Sequence, residues 1–482
     1  MRCIVVLMSQ SSSSATTEDL STASTPNRES MLAGFPWVSA IILYTLSWGW
    51  SLLRPNTLYW DDWDNYFNKP ANYGLQVFSD MGQAPWRGFV EFCLAQLGAW
   101  TFSTVTFVMF FLTSLFIFEI LGLATFLSVN QVRLITVLFL IVPVNQARIA
   151  SFAVFSYTTS YFLFFLGWLF LVRYRSFKSF IFSWLVLFLS LMTHSFLFFI
   201  FLPFLQFMYL NRAKLDKSNK FGPIHVRTSL IAILPIFYLV LKIFFWKPSE
   251  DWSNYHHIYQ RGIALGLIYY FPFVFLSFLF IFRKSVKTKF PSLSIVNLGF
   301  FVLGSAMFPY FAGNFFDQWS ILKFNSDWSS RHQLLMPLGL ALSVVGLNEL
   351  FNWRKKNFVF VATVALSVTL NMFWGSQYFL MSHKQEQLVE LFATTKNKIE
   401  IASVEDEAMQ FNGRGASFRS YEWNGFMTLA DISTGRPGCE ALPSGTALTL
   451  KSNTPYLKAL VTRDLGLYFE VKPCSEVLAE NG

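Results

Sequence analysis

Gly34–Leu53 reads GFPWVSAIILYTLSWGWSLL, and just beyond it Tyr59–Tyr66 reads YWDDWDNY. The first run is long enough to cross a bilayer as a helix, which takes about 20 apolar residues. The second sets Asp61, Asp62 and Asp64 among Tyr59, Trp60, Trp63 and Tyr66, at the surface where that helix must emerge. Trp and Tyr are ordinary residues of a membrane interface. Carboxylates gain nothing from the bilayer and are repelled by anionic lipid, so these acids need a separate reason.

The rest of the chain supports a membrane reading. Its 482 residues are 54% hydrophobic, 19% aromatic and only 13% charged, with 57 Phe and a mean hydropathy of +0.42. Soluble chains carry about 25% charged residues. The net charge of +9 does not point to nucleic acid, because the basic residues lie in short loops between apolar runs, as topology signals do. Residues 1–30 are Ser/Thr-rich without apolar periodicity and are expected to be a disordered cytoplasmic tail. Met31, which opens the first span, is an alternative translation start.

About eleven transmembrane helices are expected: 34–53, 102–128, 133–144, 150–172, 178–192, 195–211, 227–246, 263–282, 291–311, 332–350 and 357–380. Three of them, 133–144, 178–192 and 195–211, are short and fit only as half-length helices inside a bundle. Lys and Arg concentrate on one set of connections: Arg133, then Arg173–Lys178, Arg212–Arg227, Arg283–Lys289 and Arg354–Lys356, with Asp216 the lone acid among them. That set is expected to be cytoplasmic. The opposite set holds the acids, including the first outer loop at 54–101, and an odd number of spans sends residues 381–482 outside as well. In that tail Lys384–Gln410 reads as a helix, and Ala447–Lys451 and Leu467–Val471 alternate like short strands. Cys439 and Cys474 form a disulfide if the tail faces an oxidising compartment, and otherwise stay as two thiols. The expected fold is thus an all-α polytopic membrane domain, 31–380, followed by a small extracytoplasmic α+β domain, 381–482.

Acids beside aromatic rings at an outer surface suit a sugar. Carboxylates accept hydrogen bonds from hydroxyls, ring faces stack on sugar C–H surfaces, and one carboxylate can act as general base on an acceptor hydroxyl. Asp61 and Asp62 are the candidate catalytic residues, with Trp60, Asp64 and Tyr66 as candidate substrate contacts. Two alternatives stay open: a divalent cation held by Asp61 and Asp62, and a plain helix-capping role for either acid. Trp86–Leu97 is expected to form an amphipathic interfacial helix that walls a groove beside them. Asp327-Trp328-Ser329-Ser330-Arg331-His332-Gln333 leads into the tenth expected span. Arg331 there suits a lipid phosphate, because guanidinium pairs bidentately with phosphate oxygens; His332 is a candidate helper. Arg148 and Lys242 are further cations at the outward ends of spans. Glu119, inside a span, is read as a packing residue, and His194, His256 and His257 as loop residues or substrate contacts.

Together these residues resemble the GT-C superfamily of polyprenyl-phosphate-sugar-dependent glycosyltransferases. Asp61-Asp62 match its acidic pair after the first span, and Tyr66 falls near the Tyr that often follows. Arg148 through Ser156-Tyr157 to Arg173-Tyr174-Arg175, Leu191-Met192-Thr193-His194 with Pro203, and Ser330-Arg331-His332-Gln333-Leu334 are similar to later parts of its pattern. The resemblance covers about 34–380. It implies inverting transfer of a sugar from a polyprenyl-phosphate donor to a glycan, lipid or protein acceptor on the outer face of the cytoplasmic membrane. The turn Asn145–Arg148 lacks the second carboxylate that metal-dependent relatives place there, so the expected mechanism is metal-independent and uses no cofactor. A polysaccharide polymerase or ligase, and a lipid or glycan transporter or flippase, are the competing readings; charges crowded at the outer surface rather than the midplane argue against transport.

Overall fold

The computed structural model describes residues 32–63, 73–80, 82, 85–124, 126–174, 176–193, 195–217, 223–247, 249, 291–312, 328–351, 357–395, 401–408, 418, 420–431 and 438–481. The expected tail 1–30, the expected span 263–282, and His194, His256 and His257 lie outside these residues. So do Asp64 and Tyr66.

The described chain is mostly helical. Five helices are long and apolar enough to cross a membrane: α5 (Trp100–Gly122), α7 (Phe155–Arg173), α11 (Pro223–Phe244), most of α12 (Pro291–Ala312) and α14 (Phe358–Thr395). Five expected spans appear as shorter apolar helices. These are α1 (Trp37–Trp48), α6 (Val129–Ile141), α8 (Phe177–Ser190), the stretch Phe196–Asn211 and α13 (Met336–Leu350). Between α1 and α5 run α2 (Trp50–Leu53), α3 (Tyr73–Asp80) and α4 (Pro85–Ala95); the stretch 196–211 is made of α9 (Ser195–Phe199) and α10 (Phe201–Lys217). The expected interfacial helix at Trp86–Leu97 is α4. Ile233, Ile236, Phe237, Val240, Ile243 and Phe244 of α11 are all exposed, an apolar face that water would not tolerate and that lipid covers.

Local chemistry sets several boundaries. A capping box opens α6: Gln131 N donates to Ser128 Oγ and Ser128 N donates to Gln131 Oε1. Ser176 caps α8 singly, its Oγ accepting from Ser179 N at 3.1 Å. Helix α6 stops before Pro143, and the backbone then turns through Asn145, whose φ of 57° lies in the left-handed region that Asn tolerates. Small residues set the tightest contact. A Cβ on Gly299 of α12 would come within 2.5 Å of Ser343 N on α13, and one on Gly346 of α13 within 2.7 Å of Val296 N on α12. The two helices therefore approach backbone to backbone, as helices in a bilayer do where side chains are small. Glu119 of α5 is not a lone packing carboxylate: it forms an ion pair with Arg173 at the end of α7.

Helix α14 has 38 residues, about 57 Å at 1.5 Å per residue. That is nearly twice the hydrocarbon thickness of about 30 Å, so its second half stands clear of any bilayer its first half crosses. The helix expected over Lys384–Gln410 is thus two things. Lys384–Thr395 continues α14, and Ile401–Asp406 is strand β1. Pairing to β2 fixes it as a strand. Strands β2 (Thr446–Ser452) and β3 (Leu467–Pro473) fall where alternation predicts them. The sheet order is β1-β2-β3, with β1 parallel and β3 antiparallel to β2. Helices α15 (Ser420–Leu429), α16 (Tyr456–Thr462) and α17 (Cys474–Asn481) complete this small α+β unit. Cys439 and Cys474 are joined by a disulfide. Lys384 Nζ reaches both carboxylate oxygens of Asp406 at 2.8 Å with both side chains buried, which ties α14 to β1.

Candidate active site

The acid-bearing turn is held from two sides. Trp60 is buried and adopts φ 55°, a left-handed conformation uncommon for a bulky residue and concentrated at functional sites. The turn folds the Asp62 carboxylate back so that Tyr59 N donates to its Oδ2 at 3.2 Å, while Ala153 N donates to Oδ1 at 2.6 Å. On the other side α14 clamps the turn. Tyr59 OH donates to Tyr378 O at 3.0 Å, and Gln385 Nε2 donates to Leu58 O at 2.9 Å.

The two acids differ. Asp62 is 1% exposed, and burial pushes its carboxyl up to about 8; the two backbone N–H groups pull the other way without offsetting it, and the Asp61 charge adds to the rise. Near neutral pH Asp62 therefore carries its proton. Asp61 is half-buried and stays in reach of solvent.

Segment 142–157 is the hub of this end of the bundle. Its backbone N–H groups donate in three directions: Ala153 N to Asp62 Oδ1 at 2.6 Å, Asn145 N to Gln333 Oε1 at 2.8 Å, and Ala147 N to Ser330 Oγ at 2.8 Å. Gln146 Nε2 donates to Asn371 Oδ1 of α14 at 3.1 Å. Arg331 lies in the 3-10 turn Trp328–His332, one short step before α13 rather than at its first residue. Its Nε donates to Tyr157 OH at 3.3 Å. The first outer loop and the Arg331 turn thus contact one segment, since Ala153 and Tyr157 are four residues apart in sequence.

The other candidate cations make different contacts. The Arg148 guanidinium lies 3.0 Å over the Trp48 ring and 4.6 Å from that of Phe110, and its Nη2 is buried without a protein hydrogen-bond partner. Desolvation lowers its pKa to about 10, which leaves it a cation. Lys242 Nζ donates to Gly82 O at 3.3 Å, against the loop between α3 and α4. His332, with its ring 5.7 Å from that of Tyr157 and 6.0 Å from that of Tyr310, is held neutral by burial and then by the Arg331 charge, so it adds no second charge there. On helix α4, Val90, Leu94 and Ala95 pack on Phe102, Phe152 and Phe155; none of its described residues lines the cleft beside the acid-bearing turn.

Sequence reasoning missed Tyr157, Ser330 and Gln333 as members of the site. All three stand in quoted motifs but carry no charge, and their work is done by neutral hydroxyl and amide groups bonding across more than 170 residues of chain. No protein-family model, curated protein or solved structure matches this chain at a significant level.

Proposed function

We propose that the chain is a membrane glycosyltransferase that moves a sugar from a polyprenyl-phosphate donor to a hydroxyl acceptor at the outer membrane surface, with inversion. The observation that carries this reading is the meeting of the Asp61-Asp62 turn and Arg331 on the segment Ala153–Tyr157. A base and a phosphate-binding cation at the same end of the bundle are the minimum this reaction needs.

The roles follow from the burial of each group. Asp61, half-buried, takes the acceptor O–H proton. The acceptor oxygen attacks the anomeric carbon as the bond from that carbon to the donor phosphate oxygen breaks. The leaving polyprenyl phosphate keeps that electron pair as a stable anion, held by Arg331, and needs no proton. Asp62 is a positioning residue: neutral near pH 7 and bonded to Ala153 and Tyr59, it fixes the turn that presents Asp61. A divalent cation at Asp61 and Asp62 does not fit this donor set, because a protonated Asp62 with two backbone donors already on it is a poor ligand. The mechanism is therefore written without metal.

Purified Asp61→Asn, Asp62→Asn and Arg331→Ala proteins, assayed with a polyprenyl-phosphate-sugar donor, test the assignment. Asp61→Asn should lose about a hundredfold or more of kcat, the range of general-base catalysis. Asp62→Asn should lose less than Asp61→Asn: its amide oxygen can accept from only one of the two backbone N–H groups of Ala153 and Tyr59, which loosens the turn without removing the base. Arg331→Ala should weaken donor binding. Full activity in Asp61→Asn sinks the reading.

A further inference from the structure

A cleft of about 980 Å³ opens beside the acid-bearing turn. Residues 53–58 and Trp63 form one wall, and the corner Gly98-Ala99 before α5 forms another. Helix α14 supplies the third with Ser382, Gln385, Glu386, Val389 and Glu390, spaced i, i+3, i+4, i+7, i+8 and so on one stripe of the helix that projects beyond the bilayer. Leu429 of α15 closes the cleft. The C-terminal unit is seated firmly there: the Trp63 ring lies 4.7 Å from that of Phe426, and a Cβ on Gly425 would run into it.

The lining decides what the cleft can take. The Arg54 guanidinium is already matched, with Nη1 on Glu386 Oε1 at 2.5 Å and Nη2 within 3.0 Å of His383. Glu390 adds a second exposed carboxylate. The balance is negative, which turns away a lipid phosphate or any other anion. Asn56 and Thr57 offer neutral polar groups beside apolar surface from Leu53, Pro55 and Val389. A ligand with many hydroxyls on short C–H faces satisfies both kinds of surface, and the volume lies at the upper end of ordinary ligand sites.

We propose that this cleft binds a neutral, hydroxyl-rich glycan chain, and that this chain is the acceptor, with α14 and the C-terminal unit as its walls. The word acceptor rests on the glycosyltransferase reading; glycan binding does not. The cleft meets the acid-bearing turn at Leu58 and Trp63, so the end of a bound glycan would be brought toward Asp61 and the donor.

The test uses the full chain in the cells that make it, with photoreactive benzoylphenylalanine placed at Asn56, at Glu390 or, as lipid-facing control, at Ile236. Irradiation should give a slow-migrating adduct that stains for carbohydrate at 56 and 390 and not at 236. Adducts without carbohydrate, or no adducts at 56 and 390, overturn the proposal. With the photoreactive group at 56, Glu390→Gln should cut the yield about tenfold, the loss of one charge-assisted hydrogen bond; an unchanged yield overturns the assigned chemistry. Asp61→Asn separates the two readings. If glycan product and adducts both persist, transfer through Asp61 is wrong and the cleft stands. If product is lost and adducts persist, both stand.

Discussion

Asp61 and Asp62 are adjacent in sequence and opposite in physical state. Their position was legible from the sequence, because three acids at a membrane surface are conspicuous. Their division of labour was not, because it depends on Ala153, 91 residues away, whose N–H draws Asp62 into the interior. The buried proton has a consequence for stability. An unfolded Asp gives up its proton near pH 4, while folded Asp62 keeps it up to about 8. Between those values the native state binds a proton the unfolded state does not, so stability falls as pH rises, by up to about 1.4 kcal/mol per unit, and levels off above about 8. Asp62→Asn removes that decline. Thermal unfolding of both proteins in detergent, from about pH 5 to about pH 8, should give a slope for the wild type that the variant lacks; parallel curves count against a protonated Asp62.

At the scale of elements, hydropathy located the helices well and their ends poorly. The α14 helix was expected to stop at the membrane surface near residue 380, with a separate helix after it; it runs on unbroken to Thr395. Local propensity cannot mark the stop, since Lys384–Leu391 is as good a helix former as the span before it. Strand β1 was missed for the opposite reason, because its partner β2 lies some 45 residues on and a lone six-residue strand has little signal of its own. Two substitutions probe the joints between elements. Gly299→Val drives a branched side chain into the Ser343 backbone and should destabilise the α12–α13 pair by about 1–3 kcal/mol, read as a lower midpoint in thermal unfolding; an unchanged midpoint means the helices can part at no cost. Lys384→Ala leaves Asp406 buried without its cation and should cost about 3–5 kcal/mol, whereas replacing both with apolar residues of similar size should restore most of it. If the double variant is as unstable as the single one, the pair contributes more than mutual neutralisation.

For the whole molecule, function depends on which side of the membrane the acid-bearing end faces, and that rests on charge asymmetry. Arg133, Arg173 and Ser176 belong to the connections whose Lys and Arg content marks the expected cytoplasmic end; the proposed function puts the candidate site at the other. A polyprenyl-phosphate donor and a glycan acceptor meet on the extracytoplasmic face only if the site is there. The Cys439–Cys474 disulfide agrees with that side, since such bonds persist in oxidising compartments. Cys93 on α4 gives a direct reading: it is exposed and is the free cysteine among the described residues. In a Cys3→Ser background, a membrane-impermeant maleimide added to cells with an accessible outer surface should label Cys93 without permeabilisation. A cysteine introduced at exposed Ser176 in a Cys93→Ser chain should label only after the membrane is opened. The reverse pattern would put Asp61, Arg331 and the cleft in the cytoplasm, where the proposed reaction has no acceptor, and would remove both functional proposals at once.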